Sequence, residues 1–136
     1  MRRTSLALVG LLATTVAANA QNHALRGHWE FRAPTASPDY RGVMLVDAAG
    51  RATYDSPMDA GRPARFVGYV ERSNGSYVQI LLTNRANVIR ANCKVQSKDL
   101  LECQFFRDSG KVSNPFSLVR TGAGPASLQG PLPPSR

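Results

Sequence analysis

Two cysteines and two histidines are the side chains of this chain best suited to metal or nucleophile chemistry. His23 and His28 stand five residues apart, with no cysteine or paired carboxylates beside them. A zinc centre needs three or four ligands, so that spacing gives no metal site. Asp39, Asp47, Asp55 and Asp59 are too widely spaced for a calcium loop. They lie near expected loops, where aspartate commonly satisfies turn backbone. No nucleophile elbow, zinc-protease helix or phosphate-cradling glycine loop occurs. The sequence therefore leads to a non-enzymatic protein without cofactor. Cys93 and Cys103 remain, and no Cys-x-x-Cys pattern gives them a redox role. With only two cysteines, one intramolecular disulfide is the expected use.

A disulfide implies an oxidising compartment, and the N-terminus supplies the route. Met1-Arg2-Arg3 is basic, Leu6 to Ala18 is an apolar run, and Ala18-Asn19-Ala20 is a small-x-small cleavage site. This reads as a secretory signal peptide over residues 1–20, with the mature chain starting at Gln21. The apolar run falls short of the roughly 20 residues a spanning helix needs, and no later segment is apolar enough. The expected location is periplasmic or secreted. The remaining length suits one domain, taken as residues 21–121.

The chain carries 17 Lys and Arg against 9 Asp and Glu, a formal net charge of +8. The basic residues are scattered singly rather than clustered. A nucleic-acid surface clusters them, so no nucleic-acid partner is expected. A diffuse positive field favours an acidic protein partner instead.

Short strands with turn punctuation must position these residues. The expected strands are His28–Arg32, Tyr40–Asp47, Arg51–Asp55, Arg65–Glu71, Ser76–Thr83, Asn87–Val95, Leu100–Phe106 and Asn114–Arg120. Ser56 to Ala64, with two prolines and a glycine, reads as a long loop, and Asn74-Gly75 is a hairpin turn. Each strand carries one apolar set at alternate positions, the period of a half-buried sheet. Eight such strands with short connections give an all-β fold, an up-and-down antiparallel barrel that closes to remove its edges. Residues 122–136, rich in proline and glycine, read as a disordered tail.

The cysteines test that register. Residues 93 and 103 are symmetric about Lys98. Pairing strands six and seven across that turn sets 95 against 101, 93 against 103 and 91 against 105. All six are apolar or cysteine. Directly opposed Cα atoms lie about 4.5–5.5 Å apart, within reach of a disulfide.

One tryptophan, in Gly27-x-Trp29 at the start of the first strand, completes the pattern. With eight short strands and Arg120 at the end of the last, it resembles the lipocalin and calycin superfamily over roughly residues 25–121. The resemblance implies that Trp29 plugs one end of the barrel, that Arg120 packs across it, and that Gly27 lets the entering backbone come close. One reading is a binding barrel for a small, mostly apolar ligand, with Tyr54, Tyr69 and Tyr77, which carry both apolar area and a hydroxyl, and the Ser56–Ala64 loop as its mouth. This chain is shorter than a typical lipocalin and has no readable helix. A narrow barrel filled by its own side chains would instead act as a protein-interaction or inhibitor barrel through its loops and outer face.

Overall fold

A computed structural model describes residues 22–33, 42–59, 62–85 and 87–134. The expected signal peptide lies outside the described residues. Eight strands follow in order: β1 Gly27–Arg32, β2 Val43–Val46, β3 Arg51–Asp59, β4 Arg62–Ser73, β5 Tyr77–Asn84, β6 Asn87–Ser97, β7 Leu100–Arg107 and β8 Phe116–Gly122. Each pairs antiparallel with the next, and β8 returns to β1, so the sheet closes into a barrel.

The period-2 alternation decides which side chains go inside. Along β1, Gly27, Trp29 and Phe31 are buried while His28, Glu30 and Arg32 are not. Val78, Ile80 and Leu82 on β5 and Ile89, Ala91 and Cys93 on β6 repeat the pattern. The β6–β7 register opposes Val95 to Leu101, Cys93 to Cys103 and Ala91 to Phe105, as the symmetry about Lys98 requires. A disulfide joins Cys93 to Cys103 across that pair. Its short loop removes chain entropy from the unfolded state.

Two expected boundaries move. The Tyr40–Asp47 strand is shorter, Val43–Val46; Tyr40 and Arg41 lie outside the described residues. The Ser56–Ala64 loop is largely the end of a long hairpin, because Ser56 pairs with Ala64 and Asp59 with Arg62. A register shift between Ser56 and Asp59 spans Pro57, and bulges are where a sheet tolerates proline. Residues 123–134, within the expected tail, have neither helix nor strand.

Inward side chains fill the barrel in two tiers. Leu25, Trp29, Met44, Val46, Ile80, Leu101 and Leu118 enclose a gap with no room for a water molecule. Beyond them, Phe31, Tyr54, Phe66, Phe105 and Phe116 form an aromatic cluster with centroid separations of 4.4–6.4 Å. The wall is tight as well. At Gly68, on the inward face of β4, an added Cβ would sit 1.7 Å from the Leu81 carbonyl oxygen.

Trp29 is 1% exposed. Trp29→Ala should lower the unfolding free energy by about 3–5 kcal/mol, as loss of large buried aromatics does. Urea denaturation measures it, and an unchanged midpoint would contradict the packing. Replacing both cysteines by serine should cost about 2–3 kcal/mol on the same assay.

Candidate functional site

Gly27, Trp29 and Arg120 come together at the end of the barrel where β1 begins and β8 finishes. β1 and β8 pair with Trp29 opposite Arg120. The Arg120 guanidinium carbon lies 4.4 Å from the Trp29 ring centroid, a cation–π distance. Its nitrogens donate to the carbonyls of Arg26, Ala24 at 3.2 Å and Lys98 at 2.6 Å. Asp99 pairs with it at 3.0 Å. The Trp29 indole Nε1 donates to the Leu25 carbonyl at 3.0 Å. A Cβ on Gly27 would stand 3.1 Å from both the Arg120 side chain and the indole nitrogen, so only glycine leaves the clasp undisturbed. Arg120 Nε meets Asp99 as an ion pair without a directed hydrogen bond; the arrangement joins chain segments rather than presenting reactive atoms to solvent.

A second knot lies beside the clasp, and sequence reasoning missed it. Asp47 is fully buried. Its Oδ1 accepts from the backbone N–H of Ala49 and Arg51, both at 2.9 Å, and its Oδ2 from Leu128 N–H at 2.7 Å. The Arg51 guanidinium is 3.4 Å away. Burial alone raises the Asp47 carboxyl pKa, but the N–H donors of Leu128, Arg51 and Ala49 and the Arg51 side chain outweigh it. The carboxyl is held below its ordinary 3.8. Around this knot the C-terminal segment attaches. Ala48 N–H donates to Ala126 O at 3.3 Å, and Arg26 Nε to Pro125 O at 3.1 Å. The sequence signal was the Asp of a turn; its reach to residue 128 had none.

His23, ahead of β1, is held too. Its backbone N–H donates to Ala48 O at 2.9 Å, and its ring Nδ1 accepts from Leu25 N–H at 3.0 Å. Burial lowers its pKa below 6.5, with the Asp47 charge only partly restoring it. His28, by contrast, faces outward and bonds Thr121 through Nδ1 at 2.8 Å. The two rings thus serve separate local contacts. Among the described residues no cluster of three or more His, Cys, Asp or Glu is placed to hold a metal.

The three tyrosines do not form a mouth. Tyr54 points inward and is 3% exposed, inside the aromatic cluster. Tyr69 and Tyr77 lie on the outward set of β4 and β5. The β alternation separates them, because residue 54 shares parity with the buried positions of its strand and 69 and 77 do not. The expected mouth is therefore corrected: these side chains converge on no common opening.

The outer wall over β5–β8 does carry a concavity. It is an open depression of about 550 Å³, with Tyr77, Asn92, Lys94, Glu102, Gln104, Phe106, Pro115 and Ser117 among its lining residues. The registers explain the grouping. Tyr77, Lys94, Glu102 and Ser117 stand opposite one another in one row across four strands, and Gln79, Asn92 and Gln104 form the next row. Cys93 and Cys103 contribute to its floor. Asn92 Oδ1 is buried without a hydrogen-bond partner among the described residues.

The chain matches no family model, no curated protein and no solved structure. The architecture is consistent with a calycin-like barrel on geometry alone. Among the described residues no helix is long and apolar enough to cross a membrane.

The His23 pKa has a consequence for stability. Its folded value lies below the unfolded 6.5, so the unfolded chain takes up the proton first. The stability linked to His23 is complete above pH 6.5 and falls as pH drops below it toward the folded value. Asp47 keeps its contribution over that range, because its depressed pKa moves its loss to below 3.8. Urea midpoints should therefore decline from pH 7.5 to pH 5.5 in the unaltered chain, with a shallower decline in His23→Gln. Equal slopes would show that His23 is not the group responsible.

Proposed function

We propose that the protein is an exported, non-enzymatic barrel of calycin-like architecture that acts through its outer face on protein partners. The observation that carries this reading is the filled interior. Trp29 and its neighbours leave no room for water in one tier, and five aromatic rings pack against one another in the next. Carriers of small apolar ligands instead provide cavities of roughly 300–1,000 Å³ lined by apolar groups. The concavity that is present lies outside the wall, and polar side chains line much of it.

The export reading rests on the N-terminal leader and agrees with the Cys93–Cys103 disulfide, which persists in oxidising compartments. Without Arg2 and Arg3 of the leader, 15 Lys and Arg stand against 9 Asp and Glu, and the resulting net charge of +6 supports an acidic partner, since complementary charge raises encounter rates and suppresses wrong partners.

An apolar reporter tests the interior directly. N-phenyl-1-naphthylamine, titrated against the unaltered protein, should show no saturable fluorescence increase. Tyr54→Ala or Phe105→Ala, whichever retains a cooperative thermal transition, should open a cavity and acquire one. Saturable binding near one to one by the unaltered protein would overturn the reading and restore a small apolar ligand.

A further inference from the structure

Three large apolar side chains are left exposed among the described residues: Phe106 at 38%, Val112 at 49% and Leu132 at 61%. Two of them are neighbours. Phe106 and Val112 form an antiparallel bridge, the base of a small finger between β7 and β8. Arg107 N–H donates to Lys111 O at 2.9 Å, and Gly110 N–H to Arg107 O at 2.9 Å, which closes its tip. Ser113 ties the finger down, with its N–H on Phe105 O at 2.9 Å and its Oγ accepting from Phe105 N–H at 2.8 Å. The finger is therefore ordered by its own hydrogen bonds, yet its apolar pair has no cover.

The pair stands at the rim of the outer depression, where Phe106 and Pro115 form part of the lining. From that rim the wall changes character in steps. Past Phe106 comes the amide row with Asn92 and with Gln104, whose Nε2 donates to Ser113 O at 3.2 Å, then Lys94 opposite Glu102 in the following row. Asn92 Oδ1 is an acceptor without a donor, and a buried acceptor left unpaired costs free energy. Side-chain amides offer both donors and acceptors, as a peptide backbone does. The disulfide beneath crosslinks β6 and β7 at the floor, so the surface does not need ordering before it binds.

Resting on the interaction reading above, we infer that this depression and the Phe106–Val112 rim dock an extended segment of an acidic partner protein. An apolar side chain of the segment covers Phe106 and Val112. Its backbone meets Asn92 and Gln104, and its carboxylates face Lys111 and compete with Glu102 for Lys94. The shape favours a polypeptide over a lipid surface, because the apolar pair lies behind the polar Arg107–Lys111 tip, beside a concavity that a flat bilayer cannot enter. The charge argues against a second copy of the chain, because two leader-free molecules, each of net charge +6, repel.

Selection from a phage-displayed random 12-residue peptide library on the disulfide-bonded protein tests the inference. Enriched peptides should place Asp or Glu beside a large apolar residue. Their binding should weaken about tenfold or more in Phe106→Ala and in Lys94→Gln, with both variants keeping a cooperative thermal transition. Amide shifts of the labelled protein on titration should centre on Asn92, Gln104 and Val112. Enrichment without acidic residues, binding indifferent to both substitutions, or no enrichment would overturn the site. So would stronger binding to vesicles of phosphatidylglycerol and phosphatidylcholine than to the peptides, with the same dependence on Phe106. The naphthylamine titration reads the interior separately, so this site can fail while the outer-face reading stands.

Discussion

The contact between Arg120 and Trp29 is the constraint on which the rest depends. A barrel must join its last strand to its first, and here a cation lying over an aromatic ring reinforces the β1–β8 ladder. The same guanidinium holds carbonyls of Ala24 and Arg26 before β1, the Lys98 carbonyl in the β6–β7 turn, and the Asp99 carboxylate. An arginine suits this position because its planar fork can stack and donate in several directions at once, which a lysine ammonium cannot. One side chain thereby ties the start, the end and a central turn of the sheet together. Beneath it the indole closes the inner tier, and Asp47 beside it secures the following turn and the C-terminal segment.

Closure around large inward side chains has a functional consequence. Eight strands give a section that side chains can fill or that can hold one small ligand. The choice between these rests on residue size. Trp29, Phe31, Tyr54, Phe66 and Phe116, all buried, consume the space that a carrier would leave open. In the proposed function recognition moves to the outer wall, where the depression and the partly exposed Phe106–Val112 pair lie together.

Much of this was legible in the sequence, for reasons particular to a few residues. The symmetry of Cys93 and Cys103 about Lys98 fixed a register, because a slip of one residue would send the whole apolar set outward. The lone tryptophan and Arg120 were readable as a pair only through a likeness to known barrels, since nothing local connects residues 29 and 120. Pro57 and Pro63 made Ser56–Ala64 read as a loop, whereas a register shift admits it into a hairpin. The link from Asp47 to Leu128 was hidden because its donor is a backbone N–H, which composition does not reveal. Val112 lay in no expected strand, so its pairing with Phe106 had no periodicity to announce it. The tyrosines misled because their amphipathic chemistry suggested a mouth before their parity had been weighed.

The inside of this barrel belongs to the protein itself. Native mass spectrometry of the protein isolated from its own source, under conditions that preserve non-covalent complexes, asks this most directly. The predicted spectrum contains the disulfide-bonded polypeptide with no small molecule attached. A stoichiometric apolar adduct that survives desolvation and disappears when Tyr54 is replaced by tryptophan would contradict it.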